Sequence, residues 1–337
     1  MTHTSLLKLL FNAFLLAITL QSLGAIASQE PLPSWHNTQS KQTIMAFVKE
    51  VTNPNSVDFV KKSERIATFD NDGTLWAEQP IYTQLLFAIE RIVALAPSHP
   101  EWQNKEPFAS LLKGDIPGAL TQSKTAVNDI VMAANTGMDN QTYHALVSQW
   151  IKTAKHPVTQ RLFTNMVYQP MLELIRLLQQ NGFKTYIVSG GGIAFIRAWS
   201  ESVYGIPPEQ IIGSTIKRTY ALHNNKMVIV RHPEMDFYNN NSHKVIAINT
   251  HIGRRPIAAF GNSDGDMHML EYVSKGKGAR LSMLIHHTDK KREWAYDRQS
   301  EIGKLDKGLD KSAENKWTIV DMQKDWKVIY PEPIKPN

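Results

Sequence analysis

Short apolar runs alternate with longer segments of helical periodicity along most of the chain. The run at 65–69 is apolar and partly β-branched and ends at a carboxylate, which is typical of a buried strand. Similar runs follow at 184–188, 210–215, 256–260 and 280–285, separated by segments long enough for crossover connections. Five strands joined in this way predict an α/β fold, an open Rossmann-like parallel sheet with helices on both faces in three layers (α/β/α).

Helical periodicity dominates between the first two predicted strands. Apolar residues recur at helical spacing from Tyr82 onward, and Pro and Gly residues divide the pattern into short helices. We therefore predict a helical cap over residues 82–165, inserted in a core formed by 28–81 and 166–330, with 331–337 as a tail.

The first residues have the pattern of a targeting segment. Lys8 precedes an apolar stretch that ends in Ala25-Ile26-Ala27, and polar residues follow. A basic residue, a short apolar region and a small-residue site predict a signal peptide over 1–27, cleaved after Ala27. An uncleaved membrane anchor is the alternative, but polar residues dilute the stretch and no basic cluster follows it. We expect a periplasmic or secreted protein with no stable membrane partner after cleavage.

Composition narrows the chemistry. The chain has 337 residues, of which 42% are hydrophobic, and its net charge is only +6, which together exclude a disordered protein. It has no cysteine, which excludes disulfide scaffolds, thiolate zinc sites, iron–sulfur clusters and cysteine nucleophiles. No Lys/Arg-rich run contains interleaved aromatic residues, so a nucleic-acid partner is not expected.

Ligands in open α/β sheets bind at the carboxyl ends of the strands, and the first predicted strand ends in two carboxylates. Asp70 and Asp72 begin the sequence DNDGTL. An Asx-rich turn is one interpretation, and a calcium loop is another. A calcium loop needs Gly where Leu75 stands and a bidentate Glu where Ile81 stands, so calcium is excluded.

Three later segments also carry candidate residues. Ser189 and Gly190 begin the sequence SGGG after the second strand, where glycines let the backbone approach an anion and a helix N-terminus favours one. Lys244 lies near the start of a predicted helix, and Asn262 and Asp266 follow the fourth strand in GNSDGD. Taken singly, SGGG is typical of a turn and a lone lysine of a solvated surface.

In this order, the motifs resemble those of the haloacid dehalogenase superfamily of phosphotransferases and phosphatases. The helical cap between the first two motifs is similar to that of its phosphoserine-phosphatase-like branch. The resemblance implies that Asp70 attacks phosphorus to form an aspartyl-phosphate and that Asp72 acts as general acid and then base. It also implies that Ser189, Gly190 and Lys244 bind the substrate phosphate.

The resemblance further implies a Mg²⁺ ion held by Asp70, by Asp72 through its main-chain carbonyl, and by Asn262 and Asp266. The family commonly has a carboxylate where this chain has Asn262. An amide oxygen can bind Mg²⁺ but carries no charge, so the direct ligand among Asn262, Asp264 and Asp266 stays open.

The expected function is that of a Mg²⁺-dependent phosphatase acting on a small-molecule phosphomonoester. Asp72 favours a phosphatase over a dehalogenase, because a halide needs no leaving-group acid. The alternatives are a phosphotransferase and a secreted phosphate-ester-binding protein without turnover, for which Asn262 is the supporting feature. The candidates for substrate specificity in or near the cap are Trp76, Glu78, Tyr82, Lys113 and Trp150.

The pair His286 and His287 suggests a zinc site. Adjacent residues of a strand point to opposite faces, which argues against both binding one ion.

Overall fold

The computed structural model describes residues 30–332 except 124 and 224. The predicted signal peptide over 1–27 lies outside the described residues, and the predicted tail is described only for its first two residues. Among the helices of this described part, none has the length and apolarity needed to cross a bilayer.

A single mostly parallel sheet forms the centre of the described residues. Its strands are β1 (Ile66–Phe69), β2 (Lys184–Gly192), β3 (Ile211–His223), β4 (Lys226–Phe237), β5 (Ala258–Gly261), β6 (Leu281–Thr288), β7 (Ala295–Tyr296) and β8 (Thr318–Asp321). They lie in the order β4-β3-β2-β1-β5-β6-β7, with β8 also beside β6. Only the β3–β4 and β6–β7 pairs are antiparallel. The predicted α/β fold class is confirmed.

The helices flank this sheet or lie in the insertions. They are α1 (Gln39–Thr52), α2 (Thr83–Leu95), α3 (Phe108–Leu112), α4 (Ile116–Thr121), α5 (Ala126–Asn135), α6 (Asn140–Trp150), α7 (Gln169–Gln180), α8 (Ile193–Arg197), α9 (Ser200–Tyr204), α10 (Ser242–Ile252), α11 (Met267–Ser274), α12 (Lys307–Glu314) and α13 (Met322–Asp325).

Alternation along the central strands divides the core into two layers. In β5, Ala258 and Phe260 pack with α1 and α7, whereas Ala259 packs on the opposite side with α10 and α11. Because helices cover both faces of the sheet, all four residues of β1 are buried, including the polar Thr68. Phe69 lies in register with Ile187 of β2 and Phe260 of β5, so the carboxyl ends of these strands meet at one edge.

The predicted cap segment contributes to two hydrophobic clusters. Helices α2 and α5 pack around their own small core, which contains Ile89, Ile92 and Ile130. Helix α6, in contrast, buries Tyr143 and Val147 in the main core of the protein. The domain boundaries inferred from the sequence stay predictions.

A second insertion, which the sequence analysis did not predict, lies beside the cap. The short strand predicted at 210–215 continues to His223 and returns as β4, forming a long β-hairpin. The hairpin joins the cap where the Arg231 N–H donates to the Met138 carbonyl at 3.2 Å. Two separate insertions therefore meet above the carboxyl edge of the sheet.

Candidate active site

The turn after β1 brings the first candidate residues to the sheet edge. The Asp70 N–H donates to the Phe260 carbonyl at 2.9 Å, which extends the β1–β5 pairing by one residue. Gly73 follows with φ +76°, in the left-handed region, and a Cβ there would lie 2.1 Å from Nδ2 of Asn262. Only glycine is compatible with both constraints, which explains its place in the motif.

Lys244 joins two of the candidate carboxylates. Its Nζ donates to Oδ1 of Asp70 and to Oδ1 of Asp266, both at 2.6 Å, and all three side chains are buried. Burial alone would lower the pKa of Lys244, but Asp266 and Asp70 raise it, so the ammonium stays charged. Burial, followed by repulsion from Asp266, raises the pKa of Asp70 to about 8, although Lys244 opposes the shift.

Asp266 has hydrogen-bond partners for both of its oxygens. Oδ2 accepts from the Asn262 N–H at 3.0 Å, and from the N–H and hydroxyl of Ser263 at 3.1 Å, while Oδ1 binds Lys244. These contacts make Asp266 the carboxylate that shapes the loop after β5 and orients Lys244.

Asn262 is held by groups on both sides of its amide. Its Oδ1 accepts from the Thr74 hydroxyl at 3.0 Å, and its Nδ2 donates to Oε1 of Glu78 at 2.7 Å. Glu78 also accepts from the Tyr296 hydroxyl at 2.8 Å. The carboxyl group that Asn262 lacks is therefore present one side chain away.

Glu78 is a buried carboxylate at the edge of the site. Burial raises its pKa well above the ordinary value, against the hydrogen bond from Tyr296. Sequence reasoning named Glu78 only as a cap candidate. Its contact with Asn262 joins positions 184 residues apart, and no local pattern could have indicated it.

Asp72 lies next to the aromatic cluster under the cap. Trp76, which is buried and stacked on Trp199 at 4.3 Å, donates from Nε1 to Oδ1 of Asp72 at 2.8 Å. Burial raises the pKa of Asp72, and the Trp76 hydrogen bond opposes the shift. Trp76 is thus a core aromatic whose ring nitrogen holds a candidate catalytic group.

Ser189 and Gly190 lie at the end of β2. The Ser189 Oγ is buried and accepts from the Gly191 N–H at 2.9 Å, and the Ser189 carbonyl accepts from Nδ2 of Asn239 at 3.0 Å. The Gly190 carbonyl accepts from the Ser214 hydroxyl at 2.7 Å. These bonds fix the glycine turn from two neighbouring segments.

Asp264 has a structural role in the described residues. Its carboxylate accepts from the N–H groups of Asp306, Lys307 and Gly308 at 2.9–3.2 Å, at the start of α12. A carboxylate at that position satisfies N–H groups that have no partner within the helix.

His286 and His287 have different partners. Nε2 of His286 lies 3.2 Å from Asp297, whereas His287 lies 2.8 Å from the Gly73 carbonyl and 3.2 Å from Glu293. The two rings contact separate groups, in keeping with their opposite directions on β6.

A cavity of about 860 Å³ opens over these residues, between the sheet edge, the cap and the hairpin. Its lining includes Asp70, Asp72, Gly190 and Lys244. Of the cap candidates, Glu78 and Tyr82 line it, whereas Trp76, Lys113 and Trp150 do not.

The donor set fits a magnesium ion. Its groups are oxygen donors, and the raised pKa of Asp70 reflects burial and negative charge that Lys244 alone does not balance. Asp70 and Asn262 would supply side-chain oxygens. The described residues contain no cluster of three or more acidic or histidine side chains arranged for a metal, so the remaining positions would fall to carbonyl, phosphate and water oxygens.

Comparisons with known proteins agree with this architecture. The family model for haloacid dehalogenase-like hydrolases matches residues 67–271, more than half of the chain. A search of curated proteins found no significant match.

The chain also resembles solved structures. A conserved protein of unknown function from Anaerococcus prevotii superposes with a TM-score of 0.53 at 15% identity, over 83% of this chain and 92% of its own. A protein of unknown function from Bordetella pertussis gives 0.47 at 12% identity, over 77% and 99%. A phosphoserine phosphohydrolase-like protein from Francisella tularensis gives 0.36 at 18% identity, over 67% and 89%. The first likeness supports the fold, and no argument rests on the other two.

Proposed function

Because the chain belongs to the haloacid dehalogenase-like hydrolase family, we propose that it is a Mg²⁺-dependent phosphatase of small organic phosphomonoesters. The observation that carries the proposal is the position of Asp70. It is a buried carboxylate at the carboxyl end of the central strand, held by Lys244 and facing a cavity that Asp72 also lines.

Asp70 is the proposed nucleophile. One carboxylate oxygen binds Lys244, and the other accepts no hydrogen bond from the described residues, so it is available to attack phosphorus. The attack forms an aspartyl-phosphate and releases the alcohol. Lys244 favours the ionised form that the attack requires, and burial opposes it.

Asp72 is the proposed acid and base. Burial raises its pKa, which favours the protonated form needed to donate to the leaving oxygen. Once it has lost that proton, Asp72 can accept one from the water that hydrolyses the aspartyl-phosphate. The Trp76 N–H fixes one oxygen and leaves the other for proton transfer.

Asp70, Asn262 and the main-chain carbonyl of Asp72 would hold the Mg²⁺ ion, with Asp266 contributing negative charge beside them. When bound, the ion supplies positive charge that reduces repulsion between the carboxylates and the phosphate. Lys244 supplies further positive charge, and Ser189 and Gly190 lie at the neighbouring strand end, where phosphate oxygens are expected.

The test is Asp70→Asn, with Asp310→Asn as the control because Asp310 belongs to a surface ion pair with Arg298. Release of phosphate from p-nitrophenyl phosphate should be lost in Asp70→Asn and unchanged in Asp310→Asn. Asp72→Asn should lower kcat by about 10²- to 10⁴-fold. A chelator should abolish wild-type turnover and added Mg²⁺ should restore it. Full turnover in Asp70→Asn would refute the mechanism.

The same assay separates the two alternatives. A binding protein would bind phosphomonoesters without releasing phosphate from any of them, and a phosphotransferase would pass the group to an added alcohol in preference to water. The Glu78–Asn262 contact argues against the binding protein, because it places a carboxyl group beside the position where the family commonly has an acid.

Export is part of the proposal. The signal-peptide pattern over 1–27 supports it. N-terminal sequencing of the protein recovered from the periplasm or medium of its host should begin at Ser28. Recovery of the intact N-terminus from the cytoplasm would refute export.

A further inference from the structure

The side of the cavity formed by the cap and the hairpin contains a buried cation. Arg231 lies on β4 and lines the cavity, yet its side chain is only 5% exposed. Among the described residues, no carboxylate forms an ion pair with it. A guanidinium cannot lose its proton in a protein, so this positive charge is buried without a carboxylate partner among the described residues.

The contacts of Arg231 hold it in place and leave donors unused. Nε donates to the Asn135 carbonyl at 2.7 Å, and Nη1 donates to Oδ1 of Asn140 at 3.0 Å. The guanidinium carbon lies 3.9 Å from the centre of the Tyr143 ring. Nη2 donates to no group in the described residues. The outer edge of the guanidinium group, formed by Nη1 and Nη2, therefore has N–H donors available for an anion.

Two further groups surround this position. Arg218 lies directly across the hairpin from Arg231 and lines the same cavity, which adds a second positive charge. Oδ1 of Asn135 is a buried acceptor that has no hydrogen-bond partner within the described part of the chain, and Asn135 also lines the cavity. The side of the cavity formed by the cap and the hairpin thus offers positive charge and a hydrogen-bond acceptor, while the sheet edge opposite carries the acids around Asp70.

On the basis of the proposed function, we infer that Arg231 binds a carboxylate on the leaving group, and that the substrates are phosphate esters of hydroxycarboxylic acids. A guanidinium fork matches a carboxylate with two parallel hydrogen bonds. A hydroxyl or ammonium group on the same substrate would donate to Oδ1 of Asn135. A leaving group with a quaternary ammonium ion, by contrast, would meet repulsion from Arg231 and Arg218.

The experiment compares two substrates that differ in one group. 3-Phosphoglycerate carries a carboxylate where glycerol 3-phosphate carries a hydroxymethyl group. We expect wild-type kcat/KM to be at least about tenfold higher for 3-phosphoglycerate, which is one good charge-assisted contact. Arg231→Gln should reduce this ratio towards one, chiefly through a higher KM for 3-phosphoglycerate, and change glycerol 3-phosphate little.

Two controls accompany this variant. Arg231→Lys keeps the positive charge but loses the paired N–H donors of the guanidinium. It should therefore retain the fold and show an intermediate ratio of kcat/KM for the two substrates. This variant serves as the test if Arg231→Gln does not fold. Arg176→Gln, at an exposed arginine of α7, should leave the ratio unchanged. Equal kcat/KM for the two substrates in wild type, or a ratio that Arg231→Gln and Arg231→Lys both preserve, would overturn the inference.

Binding measurements separate this inference from the proposed function. Calorimetry with Asp70→Asn, which should not turn over, should show tighter binding of 3-phosphoglycerate than of glycerol 3-phosphate, and the added Arg231→Gln change should remove the difference. If wild type releases phosphate neither from these two esters nor from p-nitrophenyl phosphate, the proposed function fails, and the calorimetric preference alone decides the role of Arg231. If both esters are hydrolysed without preference, the proposed function stands and the role of Arg231 is refuted.

Discussion

Replacing Lys244 by methionine tests the electrostatics of the site in the absence of substrate. Methionine keeps the length and much of the volume of the side chain, but removes the ammonium that donates to Asp70 and Asp266 at 2.6 Å. Two buried carboxylates then remain with no cation between them. Removing one partner of a buried ion pair costs about 3–5 kcal/mol, because the remaining charge is not compensated.

This cost should be measurable as a lower melting temperature. A loss of about 1 kcal/mol lowers Tm by roughly 2–4 °C in domains of this size class, so Lys244→Met should melt about 6–20 °C below wild type. Thermal unfolding should be followed by circular dichroism with a chelator present, so that no divalent ion replaces the missing charge. Lys217→Met is the control, because Lys217 pairs with Glu234 on the surface, and such a pair contributes about 0–1 kcal/mol.

The difference in Tm between Lys244→Met and wild type should also depend on pH. Lys244 lowers the pKa of Asp70, which burial has raised to about 8, so its loss should raise this pKa further. A carboxyl with a raised folded-state pKa stabilises the fold fully below its unfolded pKa of about 3.9, and this stability is lost as pH rises towards the folded value. The Tm of Lys244→Met should therefore be closer to that of wild type at about pH 5 than at about pH 8. A Tm within about 2 °C of wild type at both pH values would refute the reasoning.

Two further predictions concern groups around the site. Trp76→Phe keeps an aromatic ring in the stack but removes the N–H that holds Asp72 at 2.8 Å, so kcat should fall by about tenfold, the loss expected from one hydrogen bond. Tm should also fall, because the smaller ring leaves space in the core. Unchanged kcat would show that this bond does not position Asp72. Burial lowers the pKa of His156, whose Nε2 lies 2.8 Å from the Gln79 carbonyl. A His with a depressed folded-state pKa stabilises the fold above its unfolded pKa of about 6.5 and loses that contribution as pH falls. In urea unfolding, the stability of wild type relative to His156→Gln should therefore be lower at about pH 5 than at about pH 7.5, a comparison in which the opposite contribution of Asp70 cancels. An equal difference at both pH values would exclude His156 as a source of the pH dependence.

The sequence predicted the parts of the fold and site that follow from local patterns. Short buried strands such as β1 are recognisable because parallel strands are covered on both faces and read as apolar runs. The carboxylates at the ends of these strands could be predicted to lie close together, because parallel strands end at one edge of the sheet. The family and the α/β fold are confirmed, while the catalytic, metal-binding and phosphate-binding roles of the candidate residues stay predictions.

The β-hairpin was missed although a local signal existed. Asn225, with φ +59°, follows another asparagine between two runs of apolar residues, which is typical of a hairpin turn. The role of Arg231 was not accessible from that signal. Most residues of β4 are exposed or half-buried. Arg231 becomes a buried cation only because cap helices from another part of the chain cover it.

The contact between hairpin and cap limits how this scaffold can be recombined. The cap loop and the hairpin come from distant parts of the sequence, yet the Arg231 side chain donates to two residues of the cap, Asn135 and Asn140. A chimera that exchanges residues 83–150 alone would give Arg231 foreign neighbours, and one that exchanges the hairpin alone would leave Asn135 and Asn140 without their donor. The two insertions therefore behave as one exchangeable unit, and new substrate selectivity is best sought by transplanting both together.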